Sequence, residues 1–149
     1  MQSLLKQQIQ YLEKNGTTCQ VFFSKDVLDE FEKVQKNAMT SDENGGIILG
    51  VIDGDALYVK TVTSACVKDK RARNAFLRQD EKHLDVWNSI NNETKGRVGY
   101  LGEWHSHPEM NPSPSKIDRE EWKKIKRKLG KPLIFIIIGA ETMYLKVVL

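Results

Sequence analysis

The longest apolar run in this 149-residue chain, Leu133 to Ile138, constrains its architecture more than any other feature. A run of this length suits a strand, and it is far shorter than the roughly 20 apolar residues that a membrane-spanning helix requires. Gly139-Ala140-Glu141 follows as a turn, and residues 143–148 are predicted to form a second strand that pairs with the first. The C-terminal part of the chain therefore predicts a sheet and no membrane span.

Other strand-sized segments alternate with amphipathic helical segments along the sequence. Ser24 is a suitable N-cap, and the helix after it carries Val27, Leu28, Phe31 and Val34 on one face. The remaining predicted strands cover residues 19–23, 46–52, 56–64 and 97–107, and the remaining helices cover residues 80–91 and 116–129. Residues 1–149 are therefore expected to form one α/β domain, with a mixed central sheet flanked by helices.

Three further local predictions follow from composition and spacing. Residues 1–14 are predicted as a short helix because their leucines and isoleucine recur near helical spacing. Residues 68–73 are basic and are predicted as a solvated, mobile loop. In the helix over residues 80–91, we expect Leu84, Trp87 and Ile90 to share one side and His83 to lie on the surface.

Charge and cysteine content exclude several classes of protein. The 23 basic residues are nearly balanced by 20 acidic ones, and a net charge of +3 does not indicate a nucleic-acid partner. Cys19 and Cys66 are too few for a disulfide framework or a zinc knuckle. The first ten residues lack the regions of a signal peptide. The expected location is the cytoplasm, without membrane contact.

Two of the three histidines, His105 and His107, lie near the end of a predicted apolar strand. Side chains two apart on a strand point to the same face, so both imidazoles can converge on one ion. A catalytic zinc takes three protein ligands and leaves its fourth position for water. Because Pro108 and a Ser-x-x-Asp sequence follow this pair, we favour a metal site over two solvated polar residues.

The third ligand is predicted to be Asp118. It shares one helical stripe with Trp122, Ile125 and Leu129, whose apolar side chains need the core. A carboxylate on this stripe faces inward and requires a cation or hydrogen bonds. Taken alone, Ser115-x-x-Asp118 favours a helix cap over a metal ligand, since it matches a common capping box with Asp in place of the usual Glu or Gln. Ser115 can serve both purposes, as a cap and as a residue that faces the site.

A zinc hydrolase also needs a general base, and the sequence offers two candidates. Glu43 precedes a glycine-flanked strand at residues 45–50 that allows close backbone packing. Glu103 shares a strand face with His105 and His107, so it can act as the base, support the metal ligands or contact the substrate. Spacing alone leaves both candidates open.

Two segments, taken in order, resemble the JAB/MPN (JAMM) zinc metalloproteases. Glu43-Asn44-Gly45-Gly46-Ile47-Ile48-Leu49-Gly50 resembles the strand that carries their catalytic glutamate. The family's second pattern is His-Ser/Thr-His, then seven residues, then Ser-x-x-Asp. This chain matches it with His105-Ser106-His107 and, seven residues later, Ser115-Lys116-Ile117-Asp118. The resemblance implies a cytidine-deaminase-like architecture and one Zn²⁺ per chain. It further implies His105, His107 and Asp118 as ligands, Glu43 as general base, Ser115 as an oxyanion stabiliser and a supporting role for Glu103.

A finer resemblance is to the stand-alone prokaryotic JAB isopeptidases of bacterial anti-phage CBASS operons. It rests on residues 102–109, on the following Pro-Ser-x-x-Asp and on Trp122. It implies cleavage after the C-terminus of a ubiquitin-like modifier or of a cyclic-oligonucleotide synthase in its conjugates. The implied partners are a protein with an extended C-terminal tail, the synthase (a nucleotidyltransferase) and a fused ubiquitin-activating/conjugating-like enzyme. Residues 68–76 and 108–114 are the candidate walls for the tail.

Three alternatives remain beside this interpretation. Metal-free MPN subunits act as interaction scaffolds, but they have typically lost ligands that this chain retains. A DNA-repair branch and phage-tail cell-wall peptidases share the same metal motif. Zinc deaminases are excluded, because the chain contains no Cys-x-x-Cys sequence.

Overall fold

Strands and helices alternate along the chain in the computed structural model, which describes residues 9–12 and 18–149. The strands are β1 (Ile9–Leu12), β2 (Thr18–Phe23), β3 (Gly45–Asp53), β4 (Ala56–Val62), β5 (Lys70–Ala72), β6 (Ala75–Leu77), β7 (Gly99–Ser106), β8 (Leu133–Ile138) and β9 (Met143–Val148). The helices are α1 (Lys25–Asn37), α2 (Lys82–Glu93) and α3 (Lys116–Leu129).

The main sheet is mixed and has the strand order β1-β2-β4-β3-β7-β8-β9, while β5 and β6 form a separate hairpin. The pairs β2–β4 and β7–β8 are parallel, and the other neighbours are antiparallel. β3 and β7 are therefore neighbours near the middle of the sheet, with Gly45 opposite His105. None of the helices in the described ranges is long and apolar enough to cross a membrane.

Helices cover both faces of this sheet. On one face, α1 packs Val27, Phe31 and Val34 into a cluster that includes Trp104 of β7. On the opposite face, α2 and α3 pack their aromatic side chains against the sheet, in the pairs Trp87–Tyr100 and Trp122–Phe135. All six residues of β8 are buried because both of its faces are covered. The predicted α/β architecture, a mixed sheet flanked by helices, is confirmed.

The close approach of β7 to β8 depends on Gly102. A Cβ atom at this position would lie 1.7 Å from the backbone oxygen of Ile134, and φ is +154°. Only glycine accommodates this contact. The pairing of β7 with β3 also shifts in register between Ile48 and Leu49. Gly102 therefore lies where the strand is adjusted, just before the residues that lead into His105.

The helix predicted over residues 1–14 is wrong for the part that the structure describes. Ile9–Leu12 form β1, which pairs antiparallel with β2. Residues 1–8, 13 and 14 lie outside the described residues. The backbone groups along the edge of β2 find partners in β1, and this tertiary pairing outweighs a weak local helical pattern.

Two other local predictions need correction. Residues 68–73 are mostly exposed, as predicted, but they are not a loop throughout, because Lys70–Ala72 pair with Ala75–Leu77 as a hairpin. His83 is not on the surface but fully buried, whereas Leu84 is 43% exposed. The inner side of α2 is therefore rotated toward His83, which finds buried polar partners that spacing along the helix does not reveal.

Candidate metal centre and active-site cleft

Three side chains from two elements meet at the C-terminal end of β7. His105 lies in β7, His107 follows the strand, and Asp118 lies in the first turn of α3. The Nε2 atoms of the two histidines are 3.0 Å apart. The Asp118 carboxylate lies 3.3 Å from His105 Nε2 through Oδ1 and 3.4 Å from His107 Nε2 through Oδ2. The structure thus brings the three predicted metal ligands together.

These spacings fit a tetrahedral metal ion. Ligand atoms about 2.0–2.1 Å from a tetrahedral zinc lie roughly 3.3 Å from one another. The two histidine nitrogens lie 3.0 Å apart, and they lie 3.3 and 3.4 Å from different oxygens of the Asp118 carboxylate, which is close to that value. Two imidazoles and one carboxylate are also a donor set that catalytic zinc sites use. The residues therefore fit a zinc ion with one open position.

Neighbouring groups orient two of these side chains. His107 Nδ1 lies 2.8 Å from Glu109 Oε1, which leaves Nε2 of the same ring directed at the cluster. Ser115 and Asp118 form a complete capping box, in which Ser115 N–H donates to Asp118 Oδ2 and Asp118 N–H donates to Ser115 Oγ. The capping interpretation is thus confirmed, and it coexists with the position of Asp118 in the cluster.

Electrostatics in the cluster favour a bound cation. Burial opposes ionisation of Asp118, but the nearby His105 and His107 hold its pKa well below the usual range. Burial lowers the pKa of His107, but Asp118 and Glu109 outweigh this effect and raise it to about 9. Without a metal, this group of carboxylates attracts a proton to the imidazole. A divalent cation can replace that positive charge.

Glu43 lies beside the histidines, just before β3. Its carboxylate lies within 4.8 Å of ligand atoms of both His105 and His107, although the residues are far apart in sequence. Glu43 is only 5% exposed. Burial raises its pKa to about 7, with nearby Asp118 also raising it and His107 lowering it. A carboxylate with this pKa is suited to accept and return a proton near neutral pH.

Glu103, the other candidate base, is held by different partners. Arg78 donates to both of its carboxylate oxygens, at 2.9 and 3.0 Å, and the Tyr100 hydroxyl donates to it at 2.6 Å. Burial and the neighbouring Glu103 together raise the pKa of Tyr100, so its hydroxyl remains a donor. With three donors engaged, Glu103 is poorly suited to accept a proton from water. Sequence reasoning missed Arg78, because only the tertiary structure places it beside Glu103.

A cleft of about 800 Å³ contains the cluster. Its walls include Phe76 and Leu77 from β6 on one side and Ile117 and Trp122 from α3 on another, and Glu43, Ser115 and the segment 107–109 also line it. Leu77 is 55% exposed and Ile117 is 71% exposed. The cleft therefore has exposed apolar walls around a charged centre. Part of the predicted substrate walls, from residues 68–76 and 108–114, lies here.

A second group with metal-ligand chemistry lies elsewhere, formed by Cys66, Asp69 and His83. Its polar atoms already have protein partners. His83 contacts Asp69 Oδ2 at 2.6 Å through Nε2 and Thr63 Oγ1 at 2.5 Å through Nδ1. Asp69 Oδ2 also accepts from Cys66 N–H. We therefore interpret this group as a closed hydrogen-bond network that fixes the segment before the hairpin.

Comparison with known proteins places the chain in a family. Residues 24–147 match the family described as prokaryotic homologs of the JAB domain. A protein of Pseudomonas aeruginosa named CD-NTase/cGAS isopeptidase is 34% identical over 128 residues, covering 85% of this chain and 81% of that protein. A protein of the same name from Escherichia coli is 29% identical, and the match covers 84% of this chain and 80% of that protein. One from Vibrio cholerae is 26% identical, and the match covers 92% of this chain and 87% of that protein.

A solved structure agrees at the level of the fold. The solution structure of protein DSY2949 from Desulfitobacterium hafniense superimposes with a TM-score of 0.54 at 24% identity, covering 85% of this chain and 82% of that one. The family match spans most of the chain and includes the elements that bring the two histidines and Asp118 together. The chain therefore belongs to the prokaryotic homologs of the JAB domain.

Proposed function

We propose that this protein is a zinc-dependent isopeptidase that hydrolyses an amide bond at the C-terminal tail of another protein. The observation that carries the proposal is the convergence of His105 Nε2, His107 Nε2 and the Asp118 carboxylate, with contacts of 3.0–3.4 Å, beside a buried glutamate. The relatives named CD-NTase/cGAS isopeptidase support a hydrolase of this type. We further propose that residues 1–149 act as one domain in the cytoplasm.

In this proposal the three ligands hold one Zn²⁺ per chain. When bound, zinc supplies Lewis acidity and lowers the pKa of water. Glu43 accepts the proton of the attacking water and delivers it to the leaving amine, a role that its buried position beside both histidines supports. Ser115 lines the cleft, and its hydroxyl can donate a hydrogen bond to the oxyanion that develops from the scissile carbonyl. Glu103, engaged by Arg78 and Tyr100, supports the cleft and has no proton-transfer role.

The proposed substrate is the extended C-terminal tail of a nucleotidyltransferase or of a ubiquitin-like modifier, joined to another molecule. The names of the relatives support the nucleotidyltransferase, and the CBASS resemblance adds anti-phage defence and a ubiquitin-activating/conjugating-like partner enzyme. The cleft supports a tail, since it is open and has apolar walls at Phe76, Leu77 and Ile117. An extended tail can gain affinity through backbone pairing and selectivity through alternate side chains.

The test uses a fusion of a reporter to the C-terminal tail of a CD-NTase, the class of protein that the names of the relatives point to. We expect cleavage at the junction, loss of cleavage on zinc chelation, and recovery when zinc is restored. His107→Ala should lose zinc and cleavage together, whereas Lys123→Ala, an exposed change on α3, should retain both. Bound zinc without cleavage of any conjugate would favour an interaction scaffold. Cleavage of a cell-wall peptide or DNA instead of the fusion would contradict the isopeptidase proposal.

A further inference from the structure

The backbone around Glu43 is not part of the main sheet, since β3 begins only at Gly45. Its hydrogen bonds lead instead to the β5–β6 hairpin. The Glu43 N–H donates to the backbone oxygen of Ala72 at 2.9 Å. The Glu43 carbonyl accepts from Arg71 Nε at 2.8 Å. Both polar backbone groups of Glu43 are therefore satisfied by two adjacent residues of β5.

Arg71 also contacts the preceding residue, because its Nη2 donates to the backbone oxygen of Asp42 at 3.1 Å. The guanidinium group thus spans two consecutive carbonyls, an arrangement that its planar fork favours and that a lysine cannot reproduce. On the other side of Glu43, two hydrogen bonds join Asn44 to Ser106. The Asn44 N–H donates to Ser106 Oγ, and the Ser106 N–H donates to the backbone oxygen of Asn44, each at 2.9 Å. Glu43 therefore lies between a hairpin anchor and a sheet anchor.

The same hairpin forms one wall of the cleft. Phe76 lies so close to Gly45 that a Cβ atom there would meet its ring at 2.6 Å. Arg73 of the hairpin turn donates to the backbone oxygen of Met39, just beyond α1. The hairpin thus contacts the segment on each side of Glu43. A displacement of the hairpin would be transmitted to the backbone that carries the Glu43 carboxylate.

We propose that Arg71 is a positioning residue, which holds Glu43 at the metal centre by bonding its carbonyl and that of Asp42 to the hairpin. The contacts of Arg71 fix the backbone of Glu43 in any case, and their effect on catalysis rests on the proposed function. The hairpin and the backbone of Glu43 are bonded to each other. The hairpin therefore positions both the substrate tail that docks on it and the glutamate that acts on that tail. A displacement of about 1 Å at a reacting group can cost on the order of 100-fold in rate.

The first arm of the test needs no substrate. Hydrogen exchange is measured at the Glu43 backbone amide in three zinc-loaded proteins: the wild type, Arg71→Ala and Lys33→Ala. Lys33 is the matched control because it lines the same small cavity as Arg71 and Asp42 and carries the same charge. Exchange at Glu43 should be about 10-fold faster in Arg71→Ala than in the other two proteins. Equal exchange in all three would overturn the positioning role, whatever the enzyme cleaves.

The second arm measures steady-state cleavage of the tail fusion. Arg71→Ala should lower kcat by about 10- to 100-fold with KM changed less than about 3-fold, since the residue acts through Glu43 and not on the substrate. Arg71→Lys should recover part of the loss, and zinc content should not change. In a Glu43→Gln background, Arg71→Ala should have no further effect. A rise in KM alone, or an additive loss in the double variant, would contradict the proposal. If Glu43→Gln alone retained full activity, the proposed function would fail while the exchange result stood.

Discussion

Asp69 should be one of the larger single contributors to the stability of this protein. It is 8% exposed, and its carboxylate accepts four hydrogen bonds. Oδ1 accepts from the N–H groups of Gln79 and Asp80, each at 2.8 Å, and Oδ2 accepts from Cys66 N–H at 2.8 Å and from His83 at 2.6 Å. The perturbation is Asp69→Asn, which keeps the shape and replaces one acceptor oxygen by an NH₂ donor.

The structure gives the magnitude in two ways. Burial raises the pKa of Asp69, but the bonds from Cys66, His83 and the other amides outweigh it and lower the pKa from 3.8 to about 2. At 1.36 kcal/mol per pKa unit, this corresponds to roughly 2 kcal/mol of stability. In Asp69→Asn, at least one buried donor faces the new NH₂ group, which costs about 1–3 kcal/mol. We expect a loss of about 2–4 kcal/mol in the free energy of unfolding at pH 7.

The pH dependence follows from the direction of the shift. Because the folded pKa lies below the unfolded one, the contribution of Asp69 is fully present above pH 3.8 and is lost as the pH falls through about 2. The difference in the free energy of unfolding between wild type and Asp69→Asn should therefore narrow as the pH falls from about 4 to about 2.

The difference in the free energy of unfolding is measured by urea denaturation, followed by tryptophan fluorescence. Metal is first removed with a chelator, so that bound metal does not contribute to the stability. Asp53→Asn is the control, because Asp53 is exposed and precedes Gly54 in the β3–β4 turn, where asparagine is equally suitable. A loss below about 0.5 kcal/mol in the free energy of unfolding of Asp69→Asn, or a difference from wild type that does not change with pH, would show that these hydrogen bonds do not contribute the expected stability.

The remaining predictions concern the metal centre and the sheet. Glu43→Gln should retain zinc and the fold but lose about 10²–10⁴-fold in turnover, measured on the tail fusion, whereas a matching loss in Glu103→Gln alone would transfer the base role. Glu109→Gln removes the carboxylate that orients the His107 ring, so zinc affinity should fall by about 10- to 100-fold in a competition with a chelator. An unchanged zinc affinity would contradict this role of Glu109. Gly102→Ala should destabilise the fold by about 3 kcal/mol in urea denaturation, because its Cβ meets a backbone oxygen of β8. Gly99→Ala, where no atom lies within 4 Å of the new Cβ, should cost far less.

Most of the strands and helices could be predicted from the sequence, and so could the part of the candidate site that depends on local contacts. Alternation along β7 predicted that His105 and His107 share a face, and their rings lie 4.9 Å apart. The capping box predicted the start of α3, and Ser115 and Asp118 form it. The apolar run at Leu133–Ile138 predicted β8. These features depend on periodicity and on contacts between residues a few positions apart, which the order of amino acids encodes directly.

The residues that are distant in sequence and complete the site could be identified only from the fold. The pairing of Gly45 with His105 places Glu43 beside the histidines, and spacing alone left Glu43 and Glu103 equally eligible as the base. Three other contacts could not be predicted from the sequence either. They join Arg78 to Glu103, Arg71 to Glu43, and Asp69 to buried His83. The physical reason is that a sheet register and the folding of a hairpin over it are set by the packing of the whole core, so no local pattern specifies which polar groups they bring together.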